Sequence, residues 1–356
     1  MRIAIGYCWF PIALGYHLER ALLELGHEVT YVGTPSPHRA GYDQTVPLNE
    51  LVQHLATLPD LYLWVDPGGR YFPPGIEDLP IPTACYLVDV HLGHWREQVA
   101  RFFDGVFIAQ KDYLPGFRRA VGHDQVHWLP LGAAPDVHRR LDLPRIYDVG
   151  FVGNISYAHR STPRARRLKA IAARWRTNDF YRHYTPDEVG QVYSQSRIVF
   201  NTSIAGDVNM RVFEGTASGA LVLTDSIANG LGELFEIGRE IVTYKNDADL
   251  FDKIAYYLDH EDERQAIAQA GYDRTHTQHT YAHRMKWLLE RVTDPSFGRV
   301  APMRGADESK QWVARREVYT HLYALDAILD ASRRRKRGAL QRAWDVLPCF
   351  VRRLIF

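Results

Sequence analysis

The sequence predicts a two-domain α/β protein built on parallel sheets. Short apolar runs too brief for helices recur along the chain with helical stretches between them, and from Arg197 to Tyr244 the order strand, loop, helix, strand runs without interruption. In that stretch RIVFNTS reads as a strand, GDVNMR as a loop, VFEGTASGA as a helix of small residues and LVLTD as a second strand, followed by the glycine-rich turn SIANGLGELF. Ile198, Val199 and Phe200, like Leu221, Val222 and Leu223, show no polar alternation, as strands covered on both faces require. Ligands of open α/β folds bind at the carboxyl edge of the sheet, so Arg211, Glu214 and the amides opening the helix would hold a nucleotide diphosphate.

The N-terminal elements follow the same logic. Arg2 to Tyr7 reads as a strand, Gly15 to Leu25 as a helix with Leu18, Leu22 and Leu25 on one face, Gly26 as its stop, and Glu28 to Val32 as the next strand. This βαβ unit is Rossmann-like, but its loop CWFPIALG lacks the G-x-G-x-x-G pattern of a dinucleotide site. Leu61 to Val65, Ala84 to Val88 and Val106 to Ala109 continue the sheet, and VHWLPLGAAP leads toward a linker. A boundary in LDLPRIYD, near Leu143 to Tyr147, gives an N-terminal acceptor-side domain over 1–144, a donor domain over 145–292 and a helical, basic extension over 293–356. No repeat of solenoid period is present.

Composition narrows the function classes. The 356 residues are 46% hydrophobic and 24% charged, enough for two sizeable cores. A net charge of +1 conceals an uneven distribution: Ala331 to Phe356 carries eight Arg and Lys against one Asp, a local +7 that leaves −6 for the body. The body is therefore not a general polyanion binder, and no nucleic-acid partner is expected. Cys8, Cys85 and Cys349 are far apart and lack metal-ligand spacing, which suits reduced cysteines of a cytoplasmic protein. The N-terminal RIAIGYC has no secretory pattern, and no run of about 18 apolar residues is long enough to cross a membrane. The sequons at Asn154 and Asn201 close predicted core strands and read as chance matches.

The run NMRVFEGTASGALVLTDSIANGLGELFEIGREIVTYKNDADLFDKIAYYL resembles the donor-binding half of GT-B glycosyltransferases, nearest the CgeB-like, spore-maturation-type and group 1-like branches. DVGFVGN, YTPDEVGQVYSQSRIVFN and AGYDRTHTQHTYAHRMKWLL agree in order, so the resemblance spans roughly 150 residues of a domain about that size. It implies two Rossmann-like domains facing a central cleft, a nucleotide-diphosphate sugar as donor (UDP-, GDP- or dTDP-linked), no cofactor and no bound metal. In retaining families a Glu lies eight positions before the helix Glu; here that position is Gly206, with Asp207 beside it.

The resemblance gives Glu214 a bidentate grip on the donor ribose, against the plainer role of a first-turn acid favoured by the helix dipole. Arg211 either supplies a cation to the departing diphosphate or bridges Asp207. Asn209 opens the same helix, Arg160 is the best-placed cation of the loop NISYAHRSTPRARR with Arg164 next, and Tyr184 corresponds to the residue packing on the nucleobase. Thr185 reads as a helix cap. Gly230 and Gly232 either bring backbone amides to the sugar or simply satisfy a tight turn.

On the acceptor side, Asp89 and His91 in CYLVDVHLGHW end a strand where a proton acceptor is useful, His being the better match near neutral pH. A metal reading of Asp89, His91 and His94 lacks a further ligand cluster and is not adopted. Trp344, Leu347, Phe350, Val351, Leu354 and Ile355 beside basic residues make the tail either a membrane-peripheral contact or a helix packed on the first domain, with Pro348 favouring packing. The sequence thus reads as a glycosyltransferase acting on an acceptor hydroxyl or other nucleophile. A sugar-nucleotide epimerase or hydrolase, and a non-catalytic sugar-nucleotide-binding protein, are the alternatives.

Overall fold

The computed structural model describes residues 1–11, 13–42, 46–66, 72–153, 155 and 162–334. The chain divides into two compact units, Met1–Leu129 with Met285–Phe356, and Pro130–Arg284.

In the first unit the order is β1 (Arg2–Gly6), α1 (Leu14–Glu24), β2 (Glu28–Tyr31), α2 (Leu48–Gln53), β3 (Leu61–Val65), β4 (Thr83–Leu87), α3 (Trp95–Ala100), β5 (Gly105–Ile108), α4 (Leu114–Val121) and β6 (Val126–Trp128). Among the described residues these strands form one parallel sheet in the order β2-β1-β3-β4-β5-β6. Every residue of β3, β4 and β5 is buried, whereas β2 alternates as an edge strand should. The apolar runs of the sequence are these central strands, and their lack of polar alternation reflects cover on both faces.

The second unit runs β7 (Tyr147–Gly150), α5 (Pro163–Ala172), α6 (Pro186–Ser194), β8 (Ser196–Phe200), α7 (Met210–Ala217), β9 (Leu221–Asp225), α8 (Leu231–Leu234), β10 (Val242–Tyr244), α9 (Asp247–Asp259) and α10 (Glu261–Gln278). Its described strands make a parallel sheet ordered β10-β9-β8-β7, with Ile198 beside Leu221 and Val149 beside Ile198. Leu168, Ile171, Phe200, Leu223 and Ile254 share its core. α11 (Tyr281–Val292) carries the chain back to the first unit, where α12 (Glu308–Arg334) follows.

The units divide at Leu129 rather than near 144, because the intervening segment is bonded into the second unit. Ala133 donates to His279 O at 2.9 Å and accepts from Tyr281 N at 2.9 Å. Leu141 N donates to Ser194 Oγ, whose hydroxyl in turn donates to Arg139 O, both at 3.0 Å. A Cβ on Gly190 would stand 2.4 Å from Val137 O, so α6 needs a glycine there to let the segment lie against it.

Residues 293–334 likewise belong to the first unit instead of standing as a separate extension. Asp104, wholly buried, accepts from Thr83 N at 3.0 Å, Thr83 Oγ1 at 2.9 Å, Ala301 N at 3.1 Å and Arg304 Nη2 at 2.7 Å. Arg315 pairs with Glu77, and Met303, Ala314, Val318 and Leu322 enter the core containing Trp64, Phe102 and Phe103. Among the described residues no helix is long and apolar enough to cross a membrane. The basic, apolar stretch of the tail from 335 to 356 lies outside the described residues.

Asp104→Ala should lower stability by about 3–5 kcal/mol, since it leaves a largely buried guanidinium and three donors without their acceptor. Urea unfolding measures this, and a loss below about 1 kcal/mol would contradict the role given to that carboxylate.

Candidate active site

The carboxyl edge of the second sheet is organised by one guanidinium. Arg211, at the second position of α7, donates from Nε to Val152 O at 2.9 Å and from Nη1 to Asn201 Oδ1 at 2.6 Å, and lies 4.2 Å over the Phe151 ring. Val152 follows β7 and Asn201 follows β8, so one side chain joins both strand ends to the helix start. Asn201 is itself held, donating to Thr224 Oγ1 at 2.8 Å, while its carbonyl accepts from Tyr244 Oη at 3.2 Å. The asparagine read from sequence as a chance sequon is a buried polar hinge of this edge.

The loop between β8 and α7 is locked by its own side chains. Ser203 N and Oγ both donate to Asp225, at 2.8 Å and 2.5 Å. Asp207 Oδ1 accepts from Ile204 N at 2.8 Å and Ala205 N at 3.2 Å, so this carboxylate caps the loop and Arg211 finds other partners. Gly206, at φ +76°, occupies the position of the first Glu of retaining families. Its carbonyl accepts from Asn229 Nδ2 at 3.4 Å.

A second cation stands beside the first. Arg164, on the first turn of α5, donates to Thr202 O at 3.1 Å. Its pKa is lowered chiefly by burial and next by the neighbouring Arg211 charge. Arg167 donates to Thr202 Oγ1 at 3.2 Å and pairs with Asp247 at 2.7 Å. Among the described residues the hydrogen bonds of Arg211 and Arg164 go to carbonyl and amide oxygens, while Asp207 and Asp225 act on Arg164 through charge without a hydrogen bond. A half-buried pair of like charges is held at a cost that a bound anion would offset.

Glu214 lies one turn further along α7, its side chain 15% exposed, with its carboxylate 3.6 Å from His138 Nε2. Burial lowers the His138 pKa to about 4, so the imidazole is neutral and the contact is not an ion pair. Ala134 N donates to His138 Nδ1 at 3.3 Å, which puts the ring proton on Nε2, facing Glu214.

Of the residues anticipated from sequence, Arg211 and Glu214 share α7 and Asn209 is its N-cap, with the Asn209 Oδ1 atom buried and without a hydrogen-bond partner among the described residues. Tyr184 is half-buried, donates to Asp179 O at 3.0 Å and accepts from Asn178, which also brackets the Phe151 backbone. Thr185 is a cap, in a full capping box with Glu188. Gly230 takes φ +82° before the single turn of α8 and its N–H donates to Ala228 O, so the turn uses the glycine; a Cβ on Gly232 would meet nothing. Asp89 and His91 are placed in the first unit, just beyond β4, where His91 is half-buried and His94 almost fully exposed. Arg160 lies outside the described residues. Sequence reasoning passed over His138, in the presumed linker, whereas Arg164, anticipated next after Arg160, is placed against Thr202 O at the sheet edge. Among the described residues no group of three His, Cys, Asp or Glu side chains is arranged to hold a metal ion.

Two parallel sheets of this kind, with the polar edge on the second, are the GT-B glycosyltransferase architecture. A glycosyltransferase from Rickettsia africae shares it at a TM-score of 0.58 and 12% identity, over 82% of this chain and 99% of that one. So do Anabaena HepE in complex with UDP-glucose (TM-score 0.54, 13% identity, 82% and 99% covered) and phage T4 β-glucosyltransferase (0.53, 14%, 82% and 100%). Residues 149–290 match the glycosyl transferase-like family, so the second unit carries a glycosyl transferase-like domain. No curated protein matches the sequence.

The two buried imidazoles of this unit set a pH dependence. Burial also lowers His279 to about 4; its Nε2 donates to Leu234 O at 2.7 Å and its Nδ1 accepts from Arg284 at 3.1 Å. Both rings are neutral when folded and protonate near 6.5 when unfolded. Stability is therefore fully present above about pH 6.5 and falls toward pH 4, by on the order of 2–3 kcal/mol for each ring. Urea titrations at about pH 7 and about pH 4.5 check this, with a flatter profile expected for His279→Gln.

Proposed function

We propose that the chain transfers a sugar from a uridine diphosphate sugar to an acceptor hydroxyl, with the donor held at the carboxyl edge of the second sheet. The observation that carries this reading is the pairing of Arg211 and Arg164 there, their hydrogen bonds spent on neutral oxygens. The diphosphate lies against these cations and the opening amides of α7, whose dipole favours negative charge. Glu214 holds the ribose hydroxyls and Tyr184 flanks the base. HepE bound to UDP-glucose, and a DNA-modifying β-glucosyltransferase crystallised with uridine diphosphoglucose, support uracil as the base.

As the glycosidic bond breaks, negative charge grows on the leaving diphosphate, and preorganised guanidinium and amide donors stabilise it without a bound divalent ion. Asp89 or His91 of the first unit receives the acceptor proton. A reducing, cytoplasmic setting suits Cys8 and Cys85, which are in no disulfide among the described residues.

A thermal-shift panel of UDP, GDP and dTDP with their sugars tests the donor class, because selective binding raises the melting temperature by mass action. Glu214→Ala and Arg211→Ala should each weaken UDP binding about 10- to 100-fold in calorimetric titration while the fold persists. Unchanged affinity in both would remove α7 from the donor site.

Asp89→Asn and His91→Gln test the acceptor side. The variant that removes the base should lose about 100-fold or more in kcat, with free UDP affinity unchanged. Wild-type kcat in both variants at saturating substrates would take these residues out of the mechanism.

A further inference from the structure

His138 stands out because the structure holds it more tightly than packing alone requires. It comes from the segment 130–143, far from α7 in sequence, and its side chain is only 5% exposed. Val137 N and His138 N both turn back onto Ala134 O, at 3.0 Å and 2.7 Å, while Ala134 N closes on the ring at Nδ1. The turn is pinned on either side: Gly190 admits Val137 O, and Ser194 bridges Arg139 and Leu141. Arg140 lies 4.4 Å over the Tyr272 ring, and Arg145 donates to Tyr193 O, Ser196 O and Gly219 O. An imidazole whose Nδ1 accepts from its own pinned backbone turn has one tautomer and one direction.

That direction is toward Glu214. A carboxylate one turn into a helix has several rotamers open to it, and only some of them present both oxygens to a diol. We infer that His138 is a positioning residue for Glu214: its Nε2–H faces one carboxylate oxygen and fixes the rotamer in which the carboxylate meets the two ribose hydroxyls of the donor. The present separation of 3.6 Å lies outside hydrogen-bond range, and closing it needs only a small rotation of the Glu214 side chain when the sugar engages the other oxygen. The ring donates while remaining neutral, so it orients the carboxylate without taking up its charge. This rests on the reading of Glu214 as the ribose ligand.

The consequence is specific to the sugar of the nucleotide. Affinity for the diphosphate depends on Arg211 and Arg164, whereas preference for ribose over deoxyribose depends on how Glu214 is held. The test compares calorimetric affinities of the full chain for UDP and 2′-deoxy-UDP. Wild type should prefer UDP by about tenfold or more. In His138→Phe, which keeps an aromatic ring but has no donor, that preference should collapse to within about twofold, mainly through weaker UDP binding, with 2′-deoxy-UDP affinity little changed. His138→Gln can accept from Ala134 N and donate to Glu214, and should restore most of the preference. Retention of the full preference in folded His138→Phe, or its loss in His138→Gln as well as His138→Phe, overturns the positioning role. Should His138→Phe fail to fold, His138→Gln decides alone, a preserved preference supporting the inference and a lost one refuting it. A wild type that does not distinguish the two nucleotides, or a Glu214→Gln variant that still does, would instead defeat the ribose reading of Glu214.

Discussion

The second unit depends on the guanidinium of Arg211. A parallel sheet leaves each strand end to find its own termination, and here one fork of donors terminates two strands at once while marking the start of the helix between them. Because its partners are a carbonyl and an amide oxygen, the fork fixes geometry without cancelling charge. A lysine cannot do both, having one point of charge and no plane to lay over Phe151. Structural anchoring and the proposed anion recognition thus fall to the same atoms, and Asn201, Thr224 and Asp225 serve to keep the surroundings of that fork still.

The rigidity extends to the neighbouring loop. Asp207 and Ser203 close their hydrogen bonds within the loop or onto Asp225, so the segment reaches α7 already shaped. Preorganisation of this kind lowers the reorganisation required when a charged leaving group develops. Glu214 and His138 repeat the arrangement one turn further on, with a backbone turn in place of a loop.

Much of this was legible in the sequence, and the reasons are local. Central strands such as β8 and β9 announce themselves by unbroken apolar runs, and Thr185 with Glu188 spells a capping box in four residues. The order from β8 to β9 placed Arg211 and Glu214 on one helix at a sheet edge without further information. What was not legible depended on partners distant in sequence. Residues 130–143 look like a linker because they carry no periodicity, yet they are ordered by His279, Tyr281 and Ser194. Asn201 looks like part of a sequon until Arg211 and Thr224 are brought beside it. Similarly, the charged region after 293 reads as an extension, and only Asp104 and Glu77 show where Arg304 and Arg315 are satisfied.

The first unit is discontinuous in sequence: Met285 onward completes what Met1–Leu129 begins, and Pro130–Arg284 is in effect an insertion. The order of synthesis therefore differs from the order of completion. The inserted unit has all its strands and helices once Arg284 has emerged, whereas Asp104 and the core beside Trp64 wait for Arg304, Ala314 and Val318. A chain emerging at about 5–20 residues per second holds the N-terminal sheet unfinished for several seconds after the second unit is complete. Truncation near residue 300 would thus injure the domain at the opposite end of the chain before the one it adjoins.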